Sequence, residues 1–341
     1  MSTDPTVTAL DPRAHAPYDT VEEYILDWTD RIWADGAIGD IPGMYASDIV
    51  VRSATGVGRG VDPVVRGSLA KKAAFVHRVG VGEDVIWEAR GPSSFVSHHR
   101  VLHTGGQHGA WSYGPPRGLA AVSRNLPVCL VTDAMVTEEW VVRDEWAVAE
   151  GLGHDPAAIA AQNPVDLTAL GTGGLFGREA PDDPTAQGDT GHRPATHLAE
   201  ATHVLGLWRD LIARRRFDLV ADFYSRDAIV HTSRNRTVTR RDGVQADLLG
   251  FLAPFPDARV EVRDIAVHTS PDRGTRASVL WRLCGTYSGM PVYGPAGGES
   301  VEIMGVSQYE LERGRVRREY RVLDELAVLA QIEAGRRRRD G

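Results

Sequence analysis

The chain has 341 residues, 42% of them hydrophobic and 25% charged, with a formal net charge of −8 and a pI near 5.8. That length exceeds one ordinary core and suggests two domains of about 150 residues each. The acid excess argues against a protein that grips phosphate backbones, so no nucleic-acid partner is expected. Cys129 and Cys284 are the only cysteines and indicate no disulfide framework, which fits a reducing cytoplasm; no leader segment and no apolar run of the ~18 residues of a bilayer span is seen, so no membrane partner is expected.

Residues 1–17 are polar and punctuated by proline, which predicts a mobile N-terminal segment. A first domain is expected over residues 18–150. It opens on a Thr20–Glu23 capping box and a helical stripe of Val21, Tyr24, Ile25, Trp28 and Ile32, followed by a short helix at 41–45, a strand, and a helix over 63–77. The remainder, with VIWEA, SFVSHHRVLH, AAVSRNLPVCLVTD and VTEEWVVRDE, reads as β. Residues 151–195 contain NP, GTGG, PDDP and QGDTG and read as a linker with a short helix over 156–162. A second domain over 196–335 repeats the order, with a stripe of Val204, Leu207, Trp208, Leu211 and Ile212 and then the strands VEVRDIAVH, ASVLWRLCGTYS, VEIMGVSQYEL and VRREYRVLD. The RRRR run within residues 336–341 reads as a solvated basic tail.

The two domains are copies. YASDIVVRS at 45–53 aligns with YSRDAIVHT at 224–232, and TEEWVVRDE at 137–145 aligns with RREYRVLDE at 317–325. The offsets, 179 from Tyr45 to Tyr224 and 180 from Asp144 to Asp324, are too close for chance matches between short strings. Helices first and a meander of antiparallel strands after give an α+β class, and a curved sheet folded around a helix fits it in each of two tandem domains.

GTYSG at 285–289, FPD at 255–257, YELERGRV at 309–316 and the EYRVLD strand followed by LAVLAQI resemble the SnoaL-like polyketide cyclase family of the nuclear transport factor 2-like superfamily. The resemblance covers most of the second copy and, more loosely, the first. It implies a cone of curved antiparallel sheet and three helices enclosing an apolar pocket.

Strand alternation puts Trp140, Val142 and Asp144 on one face of the first copy's last strand, against Glu139, Val141, Arg143 and Glu145. In the second copy Tyr320, Val322 and Asp324 oppose Glu319, Arg321, Leu323 and Glu325. The face with fewer charges is expected to point inward, placing one aspartate on an apolar wall in each copy. Desolvation there would raise its pKa toward the range useful for proton transfer. The competing reading is a cap on the helix that follows. The resemblance implies the acid/base role, since SnoaL-like cyclases use an aspartate at the matching position.

Arg52 and His231 occupy equivalent positions; His231 would work with Asp324 as a proton relay, and Arg52 would bind an anionic substrate group. His98, His99, His103 and His108 cluster around Arg100, with His99 and His103 on one side of their strand and His98 and Arg100 on the other. A polar pocket lining is the favoured reading, with His99, Arg100 and His103 touching substrate. A metal is not expected, because the cluster lacks the Cys, Glu or Asp partners of a recognisable metal motif. The matching second-copy strand supplies Trp281 and Tyr287, which with Trp140 and Tyr320 complete the expected substrate-contacting set, although Trp281 also reads as core. No GxGxxG, P-loop, G-x-S-x-G or HExxH motif occurs, and no cofactor is expected.

Two functions follow. One is a cofactor-free acid/base enzyme that cyclises, isomerises or eliminates on a small carbonyl compound, with Asp324 or Asp144 taking the proton. The other is a non-catalytic small-molecule-binding or assembly protein of the same fold, with pockets filled by their own side chains. Epoxide hydrolysis would need Arg143 and Asp144 around one water, and alternation turns them apart. Pairing of the two domains within the chain is expected, with a homodimer as a further partner class.

Overall fold

The computed structural model describes residues 10–177 and 198–341. The Thr20 side chain caps α1 (Val21–Thr29) and Glu23 returns the bond to the Thr20 backbone, fixing the helix start; a π-helical turn, Asp30–Ala34, continues it. α2 (Ile41–Met44) leads into β1 (Tyr45–Ser53) and β2 (Gly56–Arg59), and α3 (Val61–Ala74) carries the chain to β3 (Val79–Gly91), β4 (Ser94–Gly106), β5 (Ala120–Thr132) and β6 (Met135–Arg143). Two short helices follow, α4 (Glu145–Gly151) and α5 (Pro156–Gln162). The second copy runs α6 (Leu198–Leu207), a π-helical turn Trp208–Ala213, α7 (Val220–Phe223), β7 (Tyr224–Thr232), β8 (Arg236–Thr239), α8 (Arg240–Leu252), β9 (Arg259–Ser270), β10 (Gly274–Tyr287), β11 (Glu299–Glu312), β12 (Arg315–Leu323) and α9 (Glu325–Asp340).

Each domain has one six-stranded sheet, ordered β2-β1-β6-β5-β4-β3 and β8-β7-β12-β11-β10-β9. The sheets are mixed rather than purely antiparallel: β1 runs parallel to β6, and β7 to β12, because α3 and α8 cross over before the meander begins. The repeat holds to the residue, since Val101 faces Asn125 and, 180 positions on, Trp281 faces Gly305.

The concave face of each sheet wraps its helices. The convex faces pack on each other: Ile86, Val96, Leu126, Val128 and Val142 meet Ala266, Leu280, Met304, Val306 and Val322 in one buried cluster. With about 1.5–3 kcal/mol for each fully buried large aliphatic side chain, this docking outweighs any single polar contact across it. The expected domain pairing is therefore made inside the chain. Polar ties reinforce it, as His98 Nδ1 shares a 2.9 Å hydrogen bond with Ser278 Oγ, its own counterpart in the repeat, and His98 Nε2 lies 3.0 Å from Asp264.

Three peripheral segments differ from expectation. Of the N-terminal segment, residues 1–9 lie outside the described residues, but Pro12–His15 forms a 3-10 turn that buries Ala14, and the Asp11 amide bonds Pro92 O at 2.7 Å. Of the linker, 178–195 lies outside the described residues; α5 forms where expected, and Leu175 and Phe176 are buried against the convex sheets because each is a large apolar side chain with a groove to fill. The basic run is no tail. It is the end of α9, where Arg338 pairs with Asp166 at 2.9 Å and Arg339 with Glu299 at 2.8 Å, so carboxylates of the linker and of β11 order it. Among the described residues no helix is long and apolar enough to cross a membrane.

Candidate functional site in the first domain

A cavity of about 540 Å³ opens inside the first cone. Trp28 from α1 and Trp33 from the π-helical turn form one wall, Val64, Ser68 and Lys71 from α3 a second, and Tyr45, Val51 and Ser53 from β1 a third. The sheet floor is built by period-2 alternation: His99, Val101 and His103 from β4, Asn125, Pro127 and Cys129 from β5, and Glu139, Val141 and Arg143 from β6. Arg78, Trp111 and Glu145 also line the cavity.

This reverses the expected orientation of the last strand. Its charged face, Glu139 and Arg143, turns into the cone, while Val142 and Trp140 pack in the interface with the second domain. A half-solvated sheet would show its apolar face to its helices. Here both faces are buried, and the more apolar one serves the domain interface.

The cavity groups are electrostatically poised. Tyr45 donates from its hydroxyl to Glu139 at 3.1 Å, and burial raises the Glu139 pKa against the opposing pull of Arg143 and Tyr45. Burial, with a smaller contribution from His98, lowers His99 to about 3, and its Nδ1 lies 3.3 Å from Ser97 Oγ. Burial and then the nearby cations Arg78, Lys71 and Arg143 drive His103 well below its ordinary value, and its Nδ1 has no hydrogen-bond partner. Both rings are therefore neutral at pH 7, and the same depression makes each a weaker base than a free imidazole. Lys71 pairs with Glu145 at 3.1 Å, and burial lowers it to about 8 against that carboxylate; Tyr113 donates its hydroxyl to the same Glu145.

The second cone is filled at the equivalent positions. Counting 180 residues on, His99, Val101, His103, Asn125 and Arg143 become Val279, Trp281, Leu283, Gly305 and Leu323, and Lys71 becomes Phe251. Trp281 is fully buried, lies 5.4 Å from the Trp208 ring and donates to Ser307 Oγ at 3.2 Å, and a Cβ on Gly305 would overlap it. Trp281 is thus core, as is Tyr287, whose hydroxyl donates to Gly294 O. The Tyr–Glu pair recurs as Tyr224 and Glu319 at 2.6 Å, so it belongs to the shared fold rather than to the cavity's special chemistry.

Asp144 and Asp324 stand at helix starts, because each strand ends one residue before a helix whose free amides need an acceptor. Asp144 accepts from Ala147 N at 3.2 Å and from Arg234 N at 2.7 Å; Asp324 accepts from Ala327 N at 3.0 Å. Burial raises Asp144 to about 6, and burial followed by the neighbouring Glu145 raises Asp324 to about 8. Neither lines the main cavity. Asp324 lines a smaller space of about 200 Å³ between the domains, which shares Trp111, Arg143 and Glu145 with the cavity.

Of the other expected site residues, His99 and His103 reach the cavity and the rest do not. His231 stacks on Tyr320 at 4.8 Å and bonds Thr237 Oγ1 at 2.9 Å on the convex side, so the relay with Asp324 does not form. Arg100 covers the other side of that Tyr320 ring at 3.5 Å and donates to Glu83 and Gln308, bridging the domains. Arg52 pairs with Glu138 at 2.8 Å and donates to Leu175 O at 3.0 Å, anchoring the linker instead of an anion. His98 ties the interface and His108 is exposed on a turn, bonded to Gly106 O, so the four histidines disperse. Among the described residues no three His, Cys, Asp or Glu side chains come together in a metal-holding group.

The residues missed by sequence reasoning are Lys71, Arg78, Asn125, Glu139, Arg143 and Glu145. A position-by-position comparison of the copies carries the signal for several of them, since Lys71, Asn125 and Arg143 stand against Phe251, Gly305 and Leu323.

Residues 202–332 match the SnoaL-like polyketide cyclase family model, which places the match in the second, filled domain. Similar solved structures include a SnoaL-like protein from Jannaschia sp. CCS1, 23% identical, covering 42% of this chain and 97% of its own with a TM-score of 0.37. Wild-type IdmH from Streptomyces antibioticus is 18% identical over 39% of this chain and 97% of its own, TM-score 0.34. A SnoaL-like polyketide cyclase from Agrobacterium tumefaciens str. C58 is 21% identical over 39% and 97%, TM-score 0.32. Among curated proteins, none matches the chain.

Proposed function

We propose, for a chain whose second half carries a SnoaL-like polyketide cyclase domain, that the first domain is the working one: it binds a small carbonyl compound in its cavity and moves a proton at the carbon beside the carbonyl. The observation that carries this reading is the divergence of the copies. Where the second cone is closed by Trp281, Leu283, Leu323 and Phe251, the first has open space and titratable side chains at His103, Arg143 and Lys71. Such groups are costly to desolvate in a stable fold, and their concentration around an open cavity is what acid/base work requires.

In this reading His103, with His99 beside it, accepts the proton as a neutral imidazole. The developing enolate oxygen is stabilised by Lys71, a partly buried cation fixed at the cavity wall by its pair with Glu145. Glu139, bonded to Tyr45 and raised above the ordinary carboxylate range by burial, is the group placed to return a proton. Cyclisation, isomerisation and elimination all begin with this transfer. The second domain supplies the convex face on which the first is built. A second acid is supported by the raised pKa of Asp324 and its position in the adjoining space, which makes it the alternative proton donor from across the domain boundary.

The test uses 2-tetralone, a bicyclic ketone of suitable size, in deuterium oxide, following loss of its α-proton signal by NMR. The wild-type protein should accelerate exchange over buffer, and His103→Gln should slow it by about 10²-fold or more, with His231→Ala unchanged. A bound probe with no accelerated exchange would favour the non-catalytic binding reading.

A further inference from the structure

Five partly or fully buried arginines of the first domain, Arg31, Arg52, Arg90, Arg100 and Arg124, each have a carboxylate within ion-pair distance. Arg78 and Arg143 are comparably buried and, among the described residues, form no such pair. Both line one end of the cavity, beside His103. Each is near enough to His103 to depress it, and Arg78 is lowered to about 10 by burial, with Glu145 opposing and Arg143 adding to the shift.

The carboxylates facing this end do not balance the charge. Glu145 is engaged by Lys71 and Tyr113. Glu139 is bonded to Tyr45, and burial favours its protonated form; Asp324 is held at the start of α9 and pushed up to about 8. Two guanidiniums thus face the cavity without a partner of their own. Both are only partly buried, so their charged ends reach the cavity, and the planar fork of a guanidinium matches a carboxylate in a two-pronged contact.

We infer that the cavity takes an anionic substrate, a bicyclic-sized compound bearing a carboxylate, whose carboxylate is held by Arg78 and Arg143. This rests on the reading of the cavity as a ligand site and not on the proton-transfer step. The bound anion also offsets Arg78, Lys71 and Arg143, which after burial itself are the next causes of the lowered His103.

Calorimetric titration with 2-naphthoate and with its neutral methyl ester tests it. The acid should bind at least tenfold more tightly than the ester, and Arg78→Gln and Arg143→Gln should each weaken the acid about tenfold while leaving ester affinity unchanged, the ester also reporting that the variants are folded. Added salt should weaken the acid alone. Equal affinity for acid and ester, or unaltered naphthoate binding in both variants, overturns the anionic class and leaves the cavity as a ligand site. Failure of the wild-type protein to bind either compound overturns both.

Discussion

Val101 and Trp281 hold the same register position in the two halves, Val101 opposite Asn125 and Trp281 opposite Gly305. The valine leaves the first cone open, and the indole fills the second, with the glycine opposite leaving room for the ring. One fold thus yields a cavity and a plug by exchanging a few side chains on the same scaffold.

Recreating the plug in the first domain checks this directly. The double substitution Val101→Trp with Asn125→Gly should give a folded protein that no longer binds 2-naphthoate. Val101→Trp alone meets the Asn125 side chain and should destabilise by about 1–3 kcal/mol, as overpacking does. Urea denaturation and calorimetry read the two effects separately.

In the second domain, Gly305→Ala places a methyl group into the Trp281 ring. The fully buried indole has no free space to yield, so a loss of about 1–3 kcal/mol is expected, seen as a lower urea midpoint. A midpoint within error of wild type would contradict the tight packing described.

Asp324 makes stability depend on pH with a definite sign. Its carboxyl is raised from an ordinary value near 3.8 to about 8, so the folded protein holds the proton more tightly than the unfolded chain. The stabilisation is complete below pH 4 and is lost as pH rises through 8. Asp324→Asn keeps an acceptor for the Ala327 amide and removes the titration. Its melting temperature should exceed that of wild type above pH 8 by a few °C, at roughly 2–4 °C per kcal/mol, and should fall less between pH 5 and 9. Asp144 and Glu319, raised to about 6 and 7, leave a residual slope of the same sign.

His98 and Ser278 join equivalent positions of the two domains through a fully buried 2.9 Å hydrogen bond. His98→Ala leaves the buried Ser278 hydroxyl without its bond to the ring, while Asp264 keeps its pair with Arg90, and should cost about 1–3 kcal/mol. A double-mutant cycle with Ser278→Ala should return a coupling of about 0.5 kcal/mol or more. Additive losses would mean the bond does not help dock the domains.

Much of the architecture is legible in the amino-acid sequence. The duplication, the capping box at Thr20, α5 and the helix-then-meander order follow from local patterns that tertiary contacts do not override. Alternation also separated His99 and His103 from His98 and Arg100, because side chains two apart on a strand share a face whatever lies beyond it. The helix-starting positions of Asp144 and Asp324 were visible as one of two readings.

What alternation does not carry is which face looks inward. The charge count pointed Trp140 and Val142 to the cavity, and packing sent them to the partner sheet, leaving Glu139 and Arg143 inside. Arg78 and Lys71 lie far from β6 in sequence, and only the folding of α3 over the sheet brings them beside Arg143 and His103. Two copies of one α+β domain, and the sharing of faces along each strand, follow from local sequence, since both are set by periodicity within a segment. Which cone is open and which charges meet in it depend on packing between distant segments, since the docking of two sheets buries both faces and makes an apolar face no longer a sign of the inside.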